Sequence, residues 1–220
     1  MIAIFDIDSL VYESCYKDYD DFDEVTEDFW GRYNDVVFHL ERAYNDVTMI
    51  LVGFCSYNYR KKLDPNYKAN RKTEKPQFFD ELVAHVQENA KVHKRKGIET
   101  DDLVAKYYKY YGKDDCVIVS IDKDYKQFEC TIFNYRKREF QYVSRDEAVF
   151  NFYEQMVIGD SADNVNYCKG YGKAWVKKNL VGKNEYSQRR AVYSLFKKLY
   201  RSKGKEMYLK SFLLLKLDVF

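Results

Sequence analysis

The sequence predicts an α/β fold, a mainly parallel sheet flanked by helices with a small helical subdomain at its C-terminal end, and three observations carry this. Short runs at residues 2–6, Val47 to Phe54 and 116–121 are almost continuously apolar, as strands buried on both faces are; a half-exposed strand would alternate. Helical periodicities separate these runs, and strand, helix and strand in alternation is the pattern of parallel crossovers. Acidic clusters stand where an apolar run ends or a helix begins: Asp6 and Asp8, then Glu99, Asp101 and Asp102, then Asp122 and Asp124, then Asp160 and Asp163. In an open α/β sheet the carboxyl ends of the strands converge on one crevice. Carboxylates gathered there repel one another unless cations lie between them, so the pattern predicts bound divalent metal.

In chain order, residues 2–6 form the first buried strand. An acidic stretch from Asp18 to Asp28 leads into a helical pattern through Trp30, Tyr33, Val37, Leu40 and Tyr44. Val47 to Phe54 is the second strand. Residues 57–75 then turn basic, with Arg60, Lys61, Lys62, Lys68, Arg71, Lys72 and Lys75 around Pro65 and up to Pro76, which predicts a solvent-facing, partly helical segment. A helix is expected from Gln77 to about Lys94 on the apolar positions Phe79, Leu82, Val83 and Val86. Asp101 and Asp102 open the next, where they also favour the positive helix end. Residues 116–121 make a third strand, and Cys130 to Asn134 with Phe140 to Val143 a hairpin. Ser144 with Glu147 is a capping-box signature for a helix to Val157. Beyond Gly159, residues 166–210 carry 13 Lys+Arg and only Glu185 and Glu206 as acids, with helical patterns near 172–180, 187–201 and 206–217.

The 220 residues are 46% hydrophobic and 33% charged, enough to bury a real core. The net charge of +2 conceals an asymmetry, because residues 1–50 hold 13 Asp+Glu against 3 Lys+Arg, leaving 22 acids and 34 bases in the remainder. A basic surface beside an acidic crevice suits a polyanionic substrate reached through metal. Five cysteines without a Cys-x-x-Cys pair read as reduced residues of a cytosolic protein. His39, His85 and His93 have no zinc-like partners, and neither a leader peptide nor a membrane span is expected.

Two further motifs bear on a phosphate-containing partner. Gly170 and Gly172 with Lys173 precede a helix start, where backbone N–H groups can approach a phosphate. Lys68 and Arg71 are three residues apart, on one face if the segment is helical, and could stabilise charge on a reacting phosphate.

Together these residues resemble the 5′-nucleases, the PIN-like group that includes flap endonucleases and phage 5′→3′ exonucleases, and most of all the exonucleases of T-odd phages. The resemblance rests on Arg60-Lys61-Lys62-Leu63-Asp64-Pro65-Asn66-Tyr67-Lys68-Ala69-Asn70-Arg71-Lys72, Glu99-Thr100-Asp101-Asp102, Ser120-Ile121-Asp122-Lys123-Asp124-Tyr125-Lys126 and Gly159-Asp160-Ser161-Ala162-Asp163-Asn164, and runs from residue 2 to about 180. It implies a hydrolase with two metal ions: Asp6, Glu99, Asp101 and Asp102 at one, Asp122, Asp124, Asp160 and Asp163 at the other. Magnesium is expected because all-oxygen ligation suits hard cations, with manganese able to substitute. The resemblance further implies a catalytic domain over 1–157 with an arch or gateway at about 57–95, and a DNA-binding subdomain over 158–220 built on a helix-three-turn-helix element. Lys68 and Arg71, with Asp122 and Asp124, would act in catalysis. Tyr67, Lys68, Arg71, Lys72, Gly170, Gly172, Lys173, Lys177 and Lys178 would contact DNA.

The expected activity is structure-selective cleavage at 5′ ends, nicks or flaps of duplex DNA, with RNA in hybrids as a further substrate. The expected setting is a monomer in the host cytoplasm, working in phage DNA replication or recombination beside proteins such as a single-strand binder. Three departures qualify the match: Cys55 stands where an aspartate often ends the second strand, Ile7 follows Asp6 in place of glycine, and Tyr167 replaces an earlier hairpin glycine. The last, with a hairpin one residue short, argues against the potassium ion that the resemblance would place there. Two alternatives remain: a haloacid-dehalogenase-type phosphatase using Asp6 and Asp8, which leaves the other acids unemployed, and a catalytically silent binder of DNA structures.

Overall fold

The computed structural model describes residues 1–56, 58–71 and 74–217. Its sheet contains β1 (Ile2–Asp6), β2 (Thr48–Val52), β3 (Val92–His93), β4 (Cys116–Val119), β5 (Cys130–Asn134) and β6 (Glu139–Val143), in the spatial order β3-β2-β1-β4-β5-β6. Central β1 pairs in parallel with β2 and β4, so that Ile4 lies opposite both Ile50 and Ile118. β2–β3 and β4–β5 are parallel as well. Ala3, Ile4, Phe5, Val117, Ile118 and Val119 are wholly buried, as their unbroken apolar runs required.

Nine α-helices accompany the sheet among the described residues: α1 (Asp8–Ser14), α2 (Phe22–Ala43), α3 (Arg60–Leu63), α4 (Phe79–Asn89), α5 (Thr100–Tyr111), α6 (Arg145–Ile158), α7 (Lys173–Asn179), α8 (Glu185–Tyr200) and α9 (Gly204–Leu215). α2 begins inside the acidic stretch, earlier than its apolar pattern suggests, because Asp21 caps it by accepting the Glu24 N–H at 3.0 Å while Asp23 and Glu24 occupy the positive end. The helix expected to reach Lys94 stops at Asn89. Val92 and His93 leave it to pair with Leu51 and Val52 as β3, so a sheet edge outcompetes a helix end. The capping box of α6 forms as read, Glu147 accepting from the Ser144 N–H at 2.8 Å. Beyond its last turn, Gly159 has φ +83°, and a Cβ there would lie 2.3 Å from the Val165 carbonyl oxygen. Only glycine therefore allows Asp160 and Val165 to exchange backbone hydrogen bonds at 2.7 and 2.8 Å.

The described residues fall into two compact units. The first holds the sheet and α1, α2, α4 and α5, around a core of Phe5, Leu10, Val25, Phe29, Leu40 and Val119. The second holds α6 to α9, residues 126–129 and residues 58–71, around Val157, Val176, Leu180, Val192, Phe196 and Leu215.

The basic segment departs from expectation. Residues 58–71 are docked into the second unit instead of facing solvent throughout, and Arg60 and Tyr67 are buried. The Arg60 guanidinium donates to the carbonyls of Leu214 and Lys216, each at 2.9 Å. These oxygens belong to the last turn of α9 and the residue beyond it, where carbonyls lack intrahelical donors and partial negative charge collects. A buried cation is thus matched to a helix terminus that needs one. Arg60→Ala should lower unfolding free energy by about 2–4 kcal/mol, since it strands buried carbonyls as well as removing the charge–dipole contact; urea denaturation followed by circular dichroism measures this, and a loss below about 0.5 kcal/mol, typical of a surface site, would contradict it.

Candidate active site

Asp6 closes β1, carried to the carboxyl end of the sheet by a strand whose residues 3–6 are all buried. Its carboxylate accepts the Tyr125 hydroxyl at 2.8 Å and the Asp8 N–H at 3.3 Å. Burial, then the charges of Asp8 and Asp122, push its pKa up to about 8 against the pull of the Tyr125 bond. Asp8, in the first turn of α1, is also raised by burial; it accepts the Phe54 N–H at 2.7 Å and the Thr100 hydroxyl at 2.6 Å. It therefore ties the segment after β2 and the start of α5 to the end of β1. Gly53 permits this approach, because a Cβ there would sit 2.8 Å from both Asp8 Oδ1 and Ile7 Cγ1. The missing glycine after Asp6 is thus balanced across the sheet: Ile7 fits because residue 53 has no side chain.

Tyr125 is wholly buried, and its hydroxyl is held protonated first by burial and then by Asp6, Asp101 and Asp122. One phenol thereby feels charge from three acidic clusters that are widely separated in sequence. Asp122 Oδ1 accepts the Asp124 N–H at 2.9 Å, fixing the short 3-10 turn Lys123–Gln127 that delivers both acids and Tyr125. Glu99 and Asp102 form the capping box of α5, with Asp102 accepting the Glu99 N–H at 3.2 Å. Cys55, in the expected aspartate position, accepts the Arg95 N–H at 3.3 Å, and burial pushes its thiol pKa up, so it adds no anion.

In the second unit, Asp160 Oδ1 accepts the N–H groups of Ala162 and Asp163 at 2.8 and 3.2 Å, shaping the turn that presents Asp163. The Asp163 carboxylate meets Arg71 at 2.9 Å, Lys68 at 3.6 Å and the Tyr67 hydroxyl at 2.7 Å. Lys68 and Arg71 do converge, though not on a helix face: Lys68 lies in a turn at φ +56°, with its N–H on the Asp163 carbonyl at 2.9 Å. Asn70 and Asn164 complete the lacing with bonds to Ser161 O and Asn66 O at 2.7 and 2.9 Å. Tyr167, in place of a glycine, donates to Asp64, which also faces Lys210 at 3.0 Å. Gly170 has φ +86°, Gly172 caps α7, Lys173, Lys177 and Lys178 lie on α7 itself, and Lys72 is outside the described residues.

Among the described residues no group of three or more His, Cys, Asp or Glu side chains is arranged as a ready metal cage, and no helix is long and apolar enough to cross a membrane. The donor set around Asp6 nevertheless suits a hard cation: it is all oxygen, and its anions raise one another's pKa where a positive charge would relieve them. Sequence reading found the acids but missed Tyr125, Thr100 and Gly53. Thr100 between two acids and a lone glycine at a strand end were the visible signals.

The model of the 5′-3′ exonuclease N-terminal, resolvase-like domain matches residues 2–154. The chain belongs to the 5′→3′ exonuclease family. This family member is 30% identical over 145 residues to the exodeoxyribonuclease of Enterobacteria phage T3, a match covering 60% of the chain and 46% of that protein. To the exonuclease of Escherichia phage T7 it is 29% identical over 145 residues, covering 60% and 47%. It thus spans about half the length of the curated relatives it matches. Its fold is that of the flap endonuclease of bacteriophage T5, solved as a pseudo-enzyme–product complex with DNA and metal ions, with a TM-score of 0.63, 17% identity and 97% and 98% of the two chains covered. The catalytic core of Rad2 in complex with DNA substrate gives a TM-score of 0.54 at 12% identity over 97% and 72% of the chains. A further structure of the T5 5′-exonuclease has zinc bound.

The state of Asp6 makes a prediction about this exonuclease-family chain. With a folded-state pKa near 8 and an ordinary value of 3.8 when unfolded, Asp6 contributes fully below about pH 4. That contribution is lost as pH rises towards 8, because only the unfolded chain releases the proton easily. In EDTA, wild-type stability should fall over this range, while Asp6→Asn flattens the slope and exceeds wild type at pH 8 by on the order of 2 kcal/mol. Urea denaturation at pH 5 and pH 8 checks this; parallel pH profiles for the two proteins would refute it.

Proposed function

We propose that the chain is a divalent-metal-dependent 5′→3′ exonuclease and flap endonuclease that hydrolyses phosphodiester bonds at or near the 5′ ends of duplex DNA. What supports this reading is the Tyr125 hydroxyl, bonded to Asp6 at 2.8 Å and held protonated by burial and the charges of Asp6, Asp101 and Asp122, in a chain whose family is defined over that same region. Asp6, Glu99, Asp101 and Asp102 would hold one ion, and Asp122 and Asp124 a second, with Asp160 and Asp163 contributing as the resemblance implies. When bound, the ions would supply an activated water and neutralise the departing oxygen. Tyr125 keeps one oxygen of Asp6 committed and so orients the other. Asp8, Thr100 and the Phe54 N–H hold the surrounding segments in register.

Lys68 and Arg71 now neutralise Asp163; a scissile phosphate would compete for the same cations, and a metal ion for the same carboxylate. Gly170, Gly172, Lys173, Lys177 and Lys178 would grip the duplex backbone without reading sequence, in the helix-three-turn-helix element that the resemblance implies within residues 158–220. Tyr67 supports this arrangement from beneath through its bond to Asp163, instead of meeting DNA itself. Substrates would be 5′ ends, nicks and flaps, with RNA in hybrids as a further class, and a single-strand-binding protein is the expected replication partner. The phosphatase alternative needs Asp8 as a general acid, whereas Asp8 is committed to Thr100 and the Phe54 N–H.

Incubation with 5′-labelled duplex, nicked and flapped DNA plus magnesium tests the proposal. Cleavage should fall at least about 100-fold in Asp122→Asn. Binding without cleavage by the wild type would favour the silent binder, and hydrolysis of small phosphomonoesters the phosphatase. Lys68→Ala should reduce the single-turnover cleavage rate by about 10- to 100-fold while leaving affinity for flapped DNA nearly unchanged. If affinity and rate instead fall together, Lys68 is a binding contact only.

A further inference from the structure

Helices α8 and α9 form a second, separate basic feature. Tyr186, Arg189, Arg190 and Tyr193 recur at i, i+3, i+4 and i+7 on α8, and Lys205 and Tyr208 at i and i+3 on α9. Side chains so spaced share a helix face. The two faces meet around a cleft of about 500 Å³ lined by these six residues and Leu209. Arg189, Arg190 and Lys205 are exposed, and among the described residues none of the three forms an ion pair with a carboxylate. Glu185, the acid beside them on α8, is instead occupied by Arg145 at 2.8 Å. Tyr208 is buried and meets the Tyr193 ring edge-on at a centroid distance of 5.3 Å, so it forms a fixed wall. Tyr186 is 71% exposed, leaving its ring face open.

We propose that this cleft binds single-stranded nucleic acid, with Arg189, Arg190 and Lys205 on backbone phosphates and an unstacked base on the Tyr186 ring. Three uncompensated cations beside an open aromatic face match the two demands of a single strand: charge along the backbone and a π surface for its bases. A duplex offers phosphates but keeps its bases stacked on one another, so it would use the cations and leave Tyr186 idle. The inference rests on the reading that the chain acts on nucleic acid, yet uses none of the acids or hairpin residues assigned to cleavage. The single-stranded part of a flapped or gapped substrate is the natural occupant.

The test is fluorescence anisotropy of a labelled oligothymidylate of about 16 nucleotides, with blunt-duplex cleavage measured in parallel. Arg189→Ala/Arg190→Ala should weaken oligothymidylate binding about tenfold and make the slope of log affinity against log salt shallower by about 1.4, two phosphate contacts' worth for a single strand. Tyr186→Ala should weaken it about fivefold, and Tyr186→Phe should restore it. Lys91→Ala/Lys137→Ala, an equal charge change at exposed positions elsewhere, should have little effect. Equal loss in that control, or no loss in the cleft variants, overturns the inference. If the wild type cleaves duplex while the cleft variants bind the oligomer normally, the cleft reading fails and the nuclease reading stands. A wild type that neither cleaves nor binds nucleic acid removes both.

Discussion

The burial of Asp6 is the constraint on which the first unit is organised. A parallel sheet needs a central strand covered on both faces, and β1 carries its terminal carboxylate out of water with it. Such a group is tolerated only when donors surround it or when it stays protonated. Here both happen: Tyr125 and the Asp8 N–H supply donors, while burial and then the neighbouring anions keep the pKa high. Those donors belong to segments that must then be placed accurately. Asp8 in turn fastens Phe54 and Thr100, and Gly53 must lack a side chain for the contact to close. A carboxylate that is costly to ionise without a counter-ion thus dictates the ends of β1 and β2, the beginning of α5 and the turn after β4.

The second unit meets the same electrostatic difficulty differently. Asp163 is surrounded by Lys68, Arg71 and the Tyr67 hydroxyl, so its charge is compensated from within the protein. Asp64 is treated alike by Lys210 and Tyr167, which lower its pKa despite partial burial. Of the two centres, the one around Asp6 has the greater electrostatic demand for an added cation. The one around Asp163 already has its cations, and a phosphate would contend for them.

Legibility in the sequence followed locality. Strands β1, β2 and β4 were readable because apolar runs need no partner to be recognised, and the capping box of α6 because its two members are three residues apart. The acids of the site were visible as clusters after those runs. Hidden were features whose cause lies far along the chain. Arg60 looked like one member of a solvated basic run because the carbonyls that bury it come 154 and 156 residues later. β3 looked like a helix end because only Leu51 and Val52 make it a strand. Lys68 and Arg71 were rightly paired for a reason that failed, since the left-handed turn at Lys68 has no marker in a lysine codon.

The contacts of Arg60 also order events during synthesis. The second unit is built from non-adjacent stretches of chain, one of which, residues 58–71, precedes most of the sheet. Its buried guanidinium cannot find Leu214 and Lys216 until those residues have left the ribosome. The first unit can gather its core while translation continues, but the stretch carrying Arg60, Lys68 and Arg71 has to wait, closing a long loop at an entropic cost that grows only slowly with length. A nascent chain halted short of residue 214 could lace Lys68 and Arg71 to Asp163, yet would leave the Arg60 guanidinium without the two carbonyls that accept it.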